Sequence, residues 1–118
     1  MPVDNKISEE IKVLKGTLAK QFGVRQIILF GSFAYGKPHK DSDIDICVIT
    51  DFHGKRKIDL IREMRRELAN LISSPLDILA YNEQEFNERA ALRGSLEYKI
   101  LTQGIKIYEQ PGISAGVV

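Results

Sequence analysis

The 118-residue chain contains no tryptophan, a single cysteine and no long run of apolar residues. The lone cysteine, Cys47, cannot form an intrachain disulfide, so nothing in the sequence requires an oxidising compartment. No apolar run approaches the roughly 18 residues that a membrane-spanning helix needs. The N-terminal segment MPVDNKISEE also lacks the apolar core of a secretion signal. We therefore expect a soluble, cytoplasmic protein without a membrane partner.

The chain also lacks a strong charge of either sign. Its formal net charge is +1, and its 43% hydrophobic and 28% charged residues are typical of a globular protein. Such a balance produces no general field that would attract nucleic acid, so we expect no nucleic-acid partner. The pattern GxxxxGK[ST] is absent, which excludes a P-loop protein. The sequence leaves the oligomeric state open.

The apolar residues recur in patterns that predict alternating helices and strands. Spacings of three and four predict long helices over residues 5–22 and 55–72, and Asn82 and Gly104 bound a pair of shorter helices. Short apolar runs predict four strands, over residues 24–30, 43–50, 76–81 and 105–109, the last at a sheet edge. We predict one α+β domain over residues 1–109, a small mixed β-sheet with helices packed mainly on one face, and a disordered tail over 110–118.

Three aspartates at strand positions are candidate metal ligands. Asp43 and Asp45 are two residues apart on a predicted strand, so they share a face with their Cα atoms roughly 6.6 Å apart. Asp77 lies in the apolar run LDILA, where a carboxylate needs a cation or hydrogen-bond donors. If their strands are neighbours, the three can converge on divalent cations, and oxygen ligands favour Mg²⁺ or Mn²⁺. The alternative is that they are ordinary strand-entry residues.

A Gly-Ser pair ends the first predicted strand. Gly31 would let a phosphate approach the main chain, and the hydroxyl of Ser32 could donate a hydrogen bond to it. Taken alone, Gly-Ser is common in plain turns. Here ten residues separate it from Asp43-x-Asp45. That combined pattern should occur by chance in roughly one chain of this length in a thousand.

The segment LFGSFAYGKPHKDSDIDICV, residues 29–48, resembles the signature of the nucleotidyltransferase superfamily that includes DNA polymerase beta. The size resembles its minimal nucleotidyltransferase branch, whose small proteins are often antitoxins of HEPN-domain toxins. The resemblance covers about residues 5–109 and implies the nucleotidyltransferase fold. It implies that Gly31 and Ser32 hold the triphosphate of a nucleotide, and that three carboxylates bind two Mg²⁺ ions and serve catalysis: Asp43, Asp45 and Asp77. Many relatives have Arg where this chain has Tyr35.

The resemblance implies an enzyme that transfers AMP from ATP to a hydroxyl of a partner protein. In this branch the acceptor is a tyrosine of a HEPN toxin, which the modification silences. Two alternatives stay open. One is a non-catalytic antitoxin or binding subunit that acts by occlusion, suggested by Tyr35. The other is a nucleotidyltransferase that acts on a small molecule or an RNA end.

The remaining polar residues are predicted to be structural or solvated. Asp41, His39 and His53 fall in predicted loops, and Cys47 is expected to be a small buried hydrophobe. Lys37 is a candidate to replace the missing Arg charge. The arginines of the second long helix are expected to form a salt-bridged, solvated face with neighbouring acidic residues. This set comprises Arg56, Arg62, Arg65 and Arg66, with Asp59, Glu63 and Glu67.

Overall fold

The computed structural model of the protein describes residues 5–36 and 42–111. Within these ranges the helices are α1 (Asn5–Phe22), α2 (Ser32–Tyr35), α3 (Lys57–Leu68), α4 (Glu83–Ala90) and α5 (Leu96–Gln103). The strands are β1 (Gln26–Phe30), β2 (Ile44–Ile49), β3 (Leu76–Tyr81) and β4 (Ile105–Glu109). The predicted tail lies outside the described residues from position 112 onward, and so do Lys37, His39 and Asp41.

The predicted elements are all present. The first helix and the strands over 76–81 and 105–109 have the predicted bounds, and Asn82 caps α4 by accepting a hydrogen bond from the Glu85 N–H at 2.8 Å. The prediction for α3 was too long at both ends. Ile58 and Leu71 fit the apolar spacing but are about half exposed. The buried residues of this helix are Leu60, Met64 and Leu68.

The four strands form one mixed sheet in the order β3-β2-β1-β4. β1 is antiparallel to β2 and to β4, whereas β2 and β3 are parallel and are connected through α3. β4 is an edge strand, as its alternating sequence predicted, and β3 forms the other edge. The α+β class and the mixed sheet are therefore confirmed.

Helices cover both faces of this sheet. The larger core joins α1 and α3 to one face through residues such as Leu14, Met64 and Ile46. On the opposite face a smaller core joins Phe86 of α4 and Ile100 of α5 to alternate residues of β1 and β2. The two longest helices thus share one face, whereas the two shorter predicted helices pack on the second face.

The entry into β3 is fixed by a carboxylate of α1. Glu10 accepts hydrogen bonds from the Ser73 N–H at 2.6 Å, the Ser73 hydroxyl at 3.0 Å and the Ser74 hydroxyl at 2.5 Å. Burial raises the pKa of Glu10, but these hydrogen bonds outweigh it and hold the pKa below its usual value. The Glu10 contacts therefore set the position of the strand that carries Asp77.

Among residues 5–36 and 42–111, no helix combines the length and the apolar composition that crossing a bilayer demands.

Candidate functional site

Three carboxylates meet on the face of the sheet that α4 and α5 partly cover. In the parallel register of β2 and β3, Asp45 stands opposite Asp77. Asp43 precedes Asp45 by two residues, so it is directed to the same face. One oxygen from each of the three side chains lies within 4.8 Å of the others. Asp43 and Asp77 are exposed and Asp45 is partly buried, so the cluster opens to solvent.

The cluster concentrates negative charge. Partial burial, followed by the nearby charges of Asp77 and Asp43 and a hydrogen bond with Asp77, together raise the pKa of Asp45 from 3.8 to about 6. The donor set consists only of carboxylate oxygens, which suits Mg²⁺ or Mn²⁺ rather than a metal that prefers sulfur or nitrogen ligands. The three residues therefore fit a divalent metal site.

Gly31 lies against this cluster at the end of β1. Its φ of 74° is in the left-handed region, which side chains other than glycine rarely adopt. A Cβ atom built at this position would collide with Oδ2 of Asp45. Glycine is thus required both by the backbone turn and by the space that Asp45 occupies. This second requirement could not be read from the sequence.

Ser32 begins the short helix that follows. The Gly31 carbonyl accepts hydrogen bonds from the N–H groups of Ala34 and Tyr35, each at 3.0 Å, which closes the turn of α2. A short helical turn therefore follows the Gly-Ser pair directly. The first N–H groups of a helix have no partner within it, so they can contact a bound group. The structure thus places Ser32 and the aspartate cluster on neighbouring strand ends.

Arg65 also lies beside the aspartate cluster, a position that the sequence pattern did not predict. Its Nη1 donates to the Leu76 carbonyl at 2.7 Å, and its Nη2 lies 3.8 Å from Oδ1 of Asp77. The expectation that Arg65 pairs along its own helix is therefore wrong, although Arg56 and Arg62 do pair with Asp59. The reason is geometric: β3 is an edge strand, so a long side chain from α3 can reach around it. Spacing along one helix carries no signal of such a contact.

The ring of Tyr35, at the end of α2, lies against the ammonium group of a lysine. The Nζ atom of Lys99 lies 4.7 Å from the centroid of the Tyr35 ring. Lys99 comes from α5, far along the sequence, and no pattern in the sequence connects the two residues. Lys37, the replacement considered from the sequence, is outside the described residues.

The other predicted structural residues remain away from this chemistry. Cys47 is fully buried, and burial raises the pKa of its thiol to about 12, so it stays protonated at neutral pH. His53 is an exposed turn residue with a positive φ of 54°. Cys47 therefore behaves as the small buried hydrophobe that was expected.

The sequence profile of a protein family described as "Polymerase beta, Nucleotidyltransferase" matches residues 12–112. The chain belongs to this nucleotidyltransferase family. The match spans α2, β2 and β3, and therefore includes the Gly-Ser turn and all three aspartates. The chain is accordingly a nucleotidyltransferase, as the resemblance indicated.

Two proteins from Methanocaldococcus jannaschii, both provisionally named protein adenylyltransferases, are similar to this chain in sequence. One is 39% identical over 61 residues, which is 51% of this chain and 62% of that relative. The match therefore spans less than two thirds of that relative's length. The other is 28% identical over 108 residues, which is 92% of this chain and 100% of the relative.

Several solved structures share the fold. A toxin–antitoxin complex with AMP-PNP aligns with a TM-score of 0.54 and 24% identity over 92% of this chain and 76% of that chain. The toxin–antitoxin MntA-HepT aligns with a TM-score of 0.52 and 21% identity, covering 88% and 73%. A provisionally named nucleotidyltransferase from Sulfolobus solfataricus gives 0.56 and 18%, covering 92% and 91%. At these identities the likeness establishes the fold alone.

Proposed function

We propose that this nucleotidyltransferase is a Mg²⁺-dependent protein adenylyltransferase that transfers AMP from ATP to a hydroxyl of a partner protein. The observation that carries the proposal is the convergence of Asp43, Asp45 and Asp77 within 4.8 Å, with Gly31 packed against Asp45. The two provisionally named protein adenylyltransferases support protein as the acceptor class.

Asp43, Asp45 and Asp77 would hold the metal. Bound Mg²⁺ supplies charge neutralisation and Lewis-acid chemistry to phosphate transfer. The raised pKa of Asp45 reflects burial and the repulsion among the three carboxylates, which a divalent cation would relieve. Mn²⁺ would satisfy the same oxygen ligands.

Gly31 and Ser32 would hold the triphosphate. Because Gly31 has no side chain, a phosphate oxygen can approach the main chain at the end of β1, and the Ser32 hydroxyl can donate to it. The phosphates would then lie beside Asp45, whose side chain occupies the space next to Gly31. A metal held by the aspartates would therefore be close to the phosphates.

The transfer itself is a substitution at phosphorus. The acceptor oxygen forms a bond to the α-phosphorus, the bond from that phosphorus to the bridging oxygen breaks, and pyrophosphate leaves. Asp77 lies on the edge strand and is exposed, so it can orient the acceptor hydroxyl and receive its proton. The products are the AMP-modified protein and pyrophosphate.

The acceptor we propose is a tyrosine of a HEPN-domain toxin, which makes the chain an antitoxin. Two observations support it. The fold is shared with structures of toxin–antitoxin complexes, one with AMP-PNP and one of MntA-HepT. The exposure of Asp43 and Asp77 leaves the site open to a hydroxyl carried on a folded protein.

Labelling with α-³²P ATP tests the proposal. The protein is incubated with labelled ATP, Mg²⁺ and the toxin encoded beside it, and the toxin is expected to acquire label and lose its toxicity. Asp43→Ala and Asp45→Ala should each abolish labelling. Asp51→Ala, which removes an exposed carboxylate paired with Arg25 away from the cluster, should leave it intact. An unlabelled toxin, or labelling that survives both cluster variants, contradicts the proposal.

The second candidate is a non-catalytic antitoxin that occludes its partner, which the presence of Tyr35 in place of a family Arg favours. It predicts a different outcome for the double variant Asp43→Ala, Asp45→Ala. That variant would still protect cells from the toxin if occlusion is the mechanism, whereas an adenylyltransferase would lose protection.

A further inference from the structure

We propose that Lys99, held on the ring of Tyr35, is a direct contact for the β- or γ-phosphate of the bound nucleoside triphosphate. This inference rests on the proposed function, because it names a residue that binds the substrate of that same site. Neither side chain belongs to the aspartate cluster, and Lys99 lies on α5, outside the Gly-Ser turn.

The first support is the position of Tyr35. It is three residues after Ser32 on α2, and residues three apart on a helix are neighbours, with Cβ atoms about 5–6 Å apart. Tyr35 packs against the smaller core with Phe30 and Cys47, which lies on the sheet face that carries Asp45. Tyr35 is therefore a helical neighbour of Ser32 and lies on the side of the sheet where the nucleotide would bind.

The second support is how the ammonium of Lys99 is held. Its Nζ lies 4.7 Å from the Tyr35 ring centroid, a favourable cation–π distance. Within residues 5–36 and 42–111 no carboxylate forms an ion pair with Lys99, whereas Arg65 is already engaged with Leu76 and Asp77. An ammonium in contact with an aromatic face keeps its N–H donors available for an anion.

The third support is the charge balance. Three carboxylates and a triphosphate carry more negative charge than two divalent cations neutralise, so the site needs a further cation from the protein. Lys99 supplies it on the β1 side, since α5 packs Ile100 into the core formed with Ile28 and Phe30. Because the Tyr35 ring restrains the lysine side chain, less conformational entropy is lost when a phosphate binds.

Nucleotide affinity measurements test this assignment without relying on activity. Dissociation constants for ATP and AMP are measured by calorimetry with Mg²⁺ for wild type, Lys99→Ala, Lys99→Arg and Lys20→Ala. Lys20 is an exposed lysine of α1, on the opposite side of the sheet, and controls for general charge. We expect Lys99→Ala to weaken ATP binding about tenfold to a hundredfold, as for loss of a charge-assisted hydrogen bond. AMP, which lacks the β- and γ-phosphates, should bind as in wild type.

The conservative variants separate a phosphate contact from a structural role. Lys99→Arg should retain most ATP affinity, since Arg also stacks on aromatic rings and binds phosphate. Tyr35→Ala should weaken ATP binding by a smaller factor, and adding Lys99→Ala to it should cost less than in wild type, because the two residues act as a unit.

Three outcomes decide the matter. ATP binding by Lys99→Ala that equals wild type and Lys20→Ala overturns the inference and leaves the proposed function standing. Equal weakening of ATP and AMP also overturns it, because the residue would then support the site rather than contact the outer phosphates. A wild-type protein that binds no ATP overturns the proposed function and this inference together.

Discussion

Asp45 of β2 and Asp77 of β3 stand side by side in the parallel register of the sheet. The same register pairs Ile44 with Leu76 and Ile46 with Ile78, whose side chains enter the core beneath α1 and α3. A shift of one residue would turn Asp77 into that core and Ile78 out of it. The apolar residues of the strands therefore fix the position of the carboxylates on the opposite face.

This pairing predicts that Asp45→Asn stabilises the metal-free protein at neutral pH. The pKa of Asp45 is raised from 3.8 to about 6, chiefly by burial and then by repulsion, so the folded state binds more protons than the unfolded state between these values. The stability from this group is present at low pH and is lost as pH rises through about 6. In EDTA at pH 7, Asp45→Asn should raise the melting temperature by a few degrees.

The metal dependence provides the contrast for Asp45→Asn. At a hundred times its dissociation constant, Mg²⁺ should add about 2.7 kcal/mol to the free energy of unfolding of wild type, which raises the melting temperature. It should have little effect on Asp45→Asn. Thermal unfolding with and without Mg²⁺ measures both. A wild-type protein that Mg²⁺ does not stabilise would contradict the metal site.

Gly31→Ala should damage both stability and metal binding. The residue has a φ of 74°, and its new methyl group would collide with Oδ2 of Asp45. We expect a loss of about 1–3 kcal/mol in the free energy of unfolding, measured in urea, together with displacement of Asp45. Gly16→Ala is the matched control: it lies within α1 with open space around it and should stabilise by about 0.5–1 kcal/mol. Equal effects at the two glycines would contradict the argument.

Arg65→Ala should lower the rate of transfer while leaving ATP affinity nearly unchanged. Arg65 is anchored on the Leu76 carbonyl and lies 3.8 Å from Asp77, so its loss frees the carboxylate to adopt other orientations. Arg65→Lys should restore only part of the rate, since lysine lacks the planar fork that spans both contacts. Arg62→Ala, on the same helix and paired with Asp59, is the control and should have full activity. A change in the ATP KM alone would argue against positioning of Asp77.

Glu10→Ala should destabilise the fold by about 2–3 kcal/mol, because three hydrogen bonds from Ser73 and Ser74 to a carboxylate are lost. The hydrogen bonds hold the pKa of Glu10 below its usual value despite burial, so its contribution is present above the unfolded-state pKa and is lost as pH falls towards the folded-state pKa. Urea unfolding from pH 7 to pH 3 should therefore show a gap between wild type and Glu10→Ala that narrows with acid. A gap independent of pH would contradict this assignment.

The strands and the aspartate cluster could be predicted because each depends on local pattern. The period of two along β2 puts Asp43 and Asp45 on one face, and a carboxylate inside LDILA singles out Asp77. Arg65 and Lys99 could not be predicted, because their contacts depend on how far a long side chain reaches between elements distant in sequence. The sequence also did not predict that α4 and α5 cover the second face, because the order of elements does not say which face a helix covers.

The exposure of Asp43 and Asp77 has a consequence for how acceptors are told apart. A site that faces solvent does not surround its acceptor, so discrimination between hydroxyl-bearing molecules must come from surfaces that lie outside the reacting groups. Such an enzyme can change its target through substitutions on the helices and edge strands around the site, while the residues that perform the transfer stay the same.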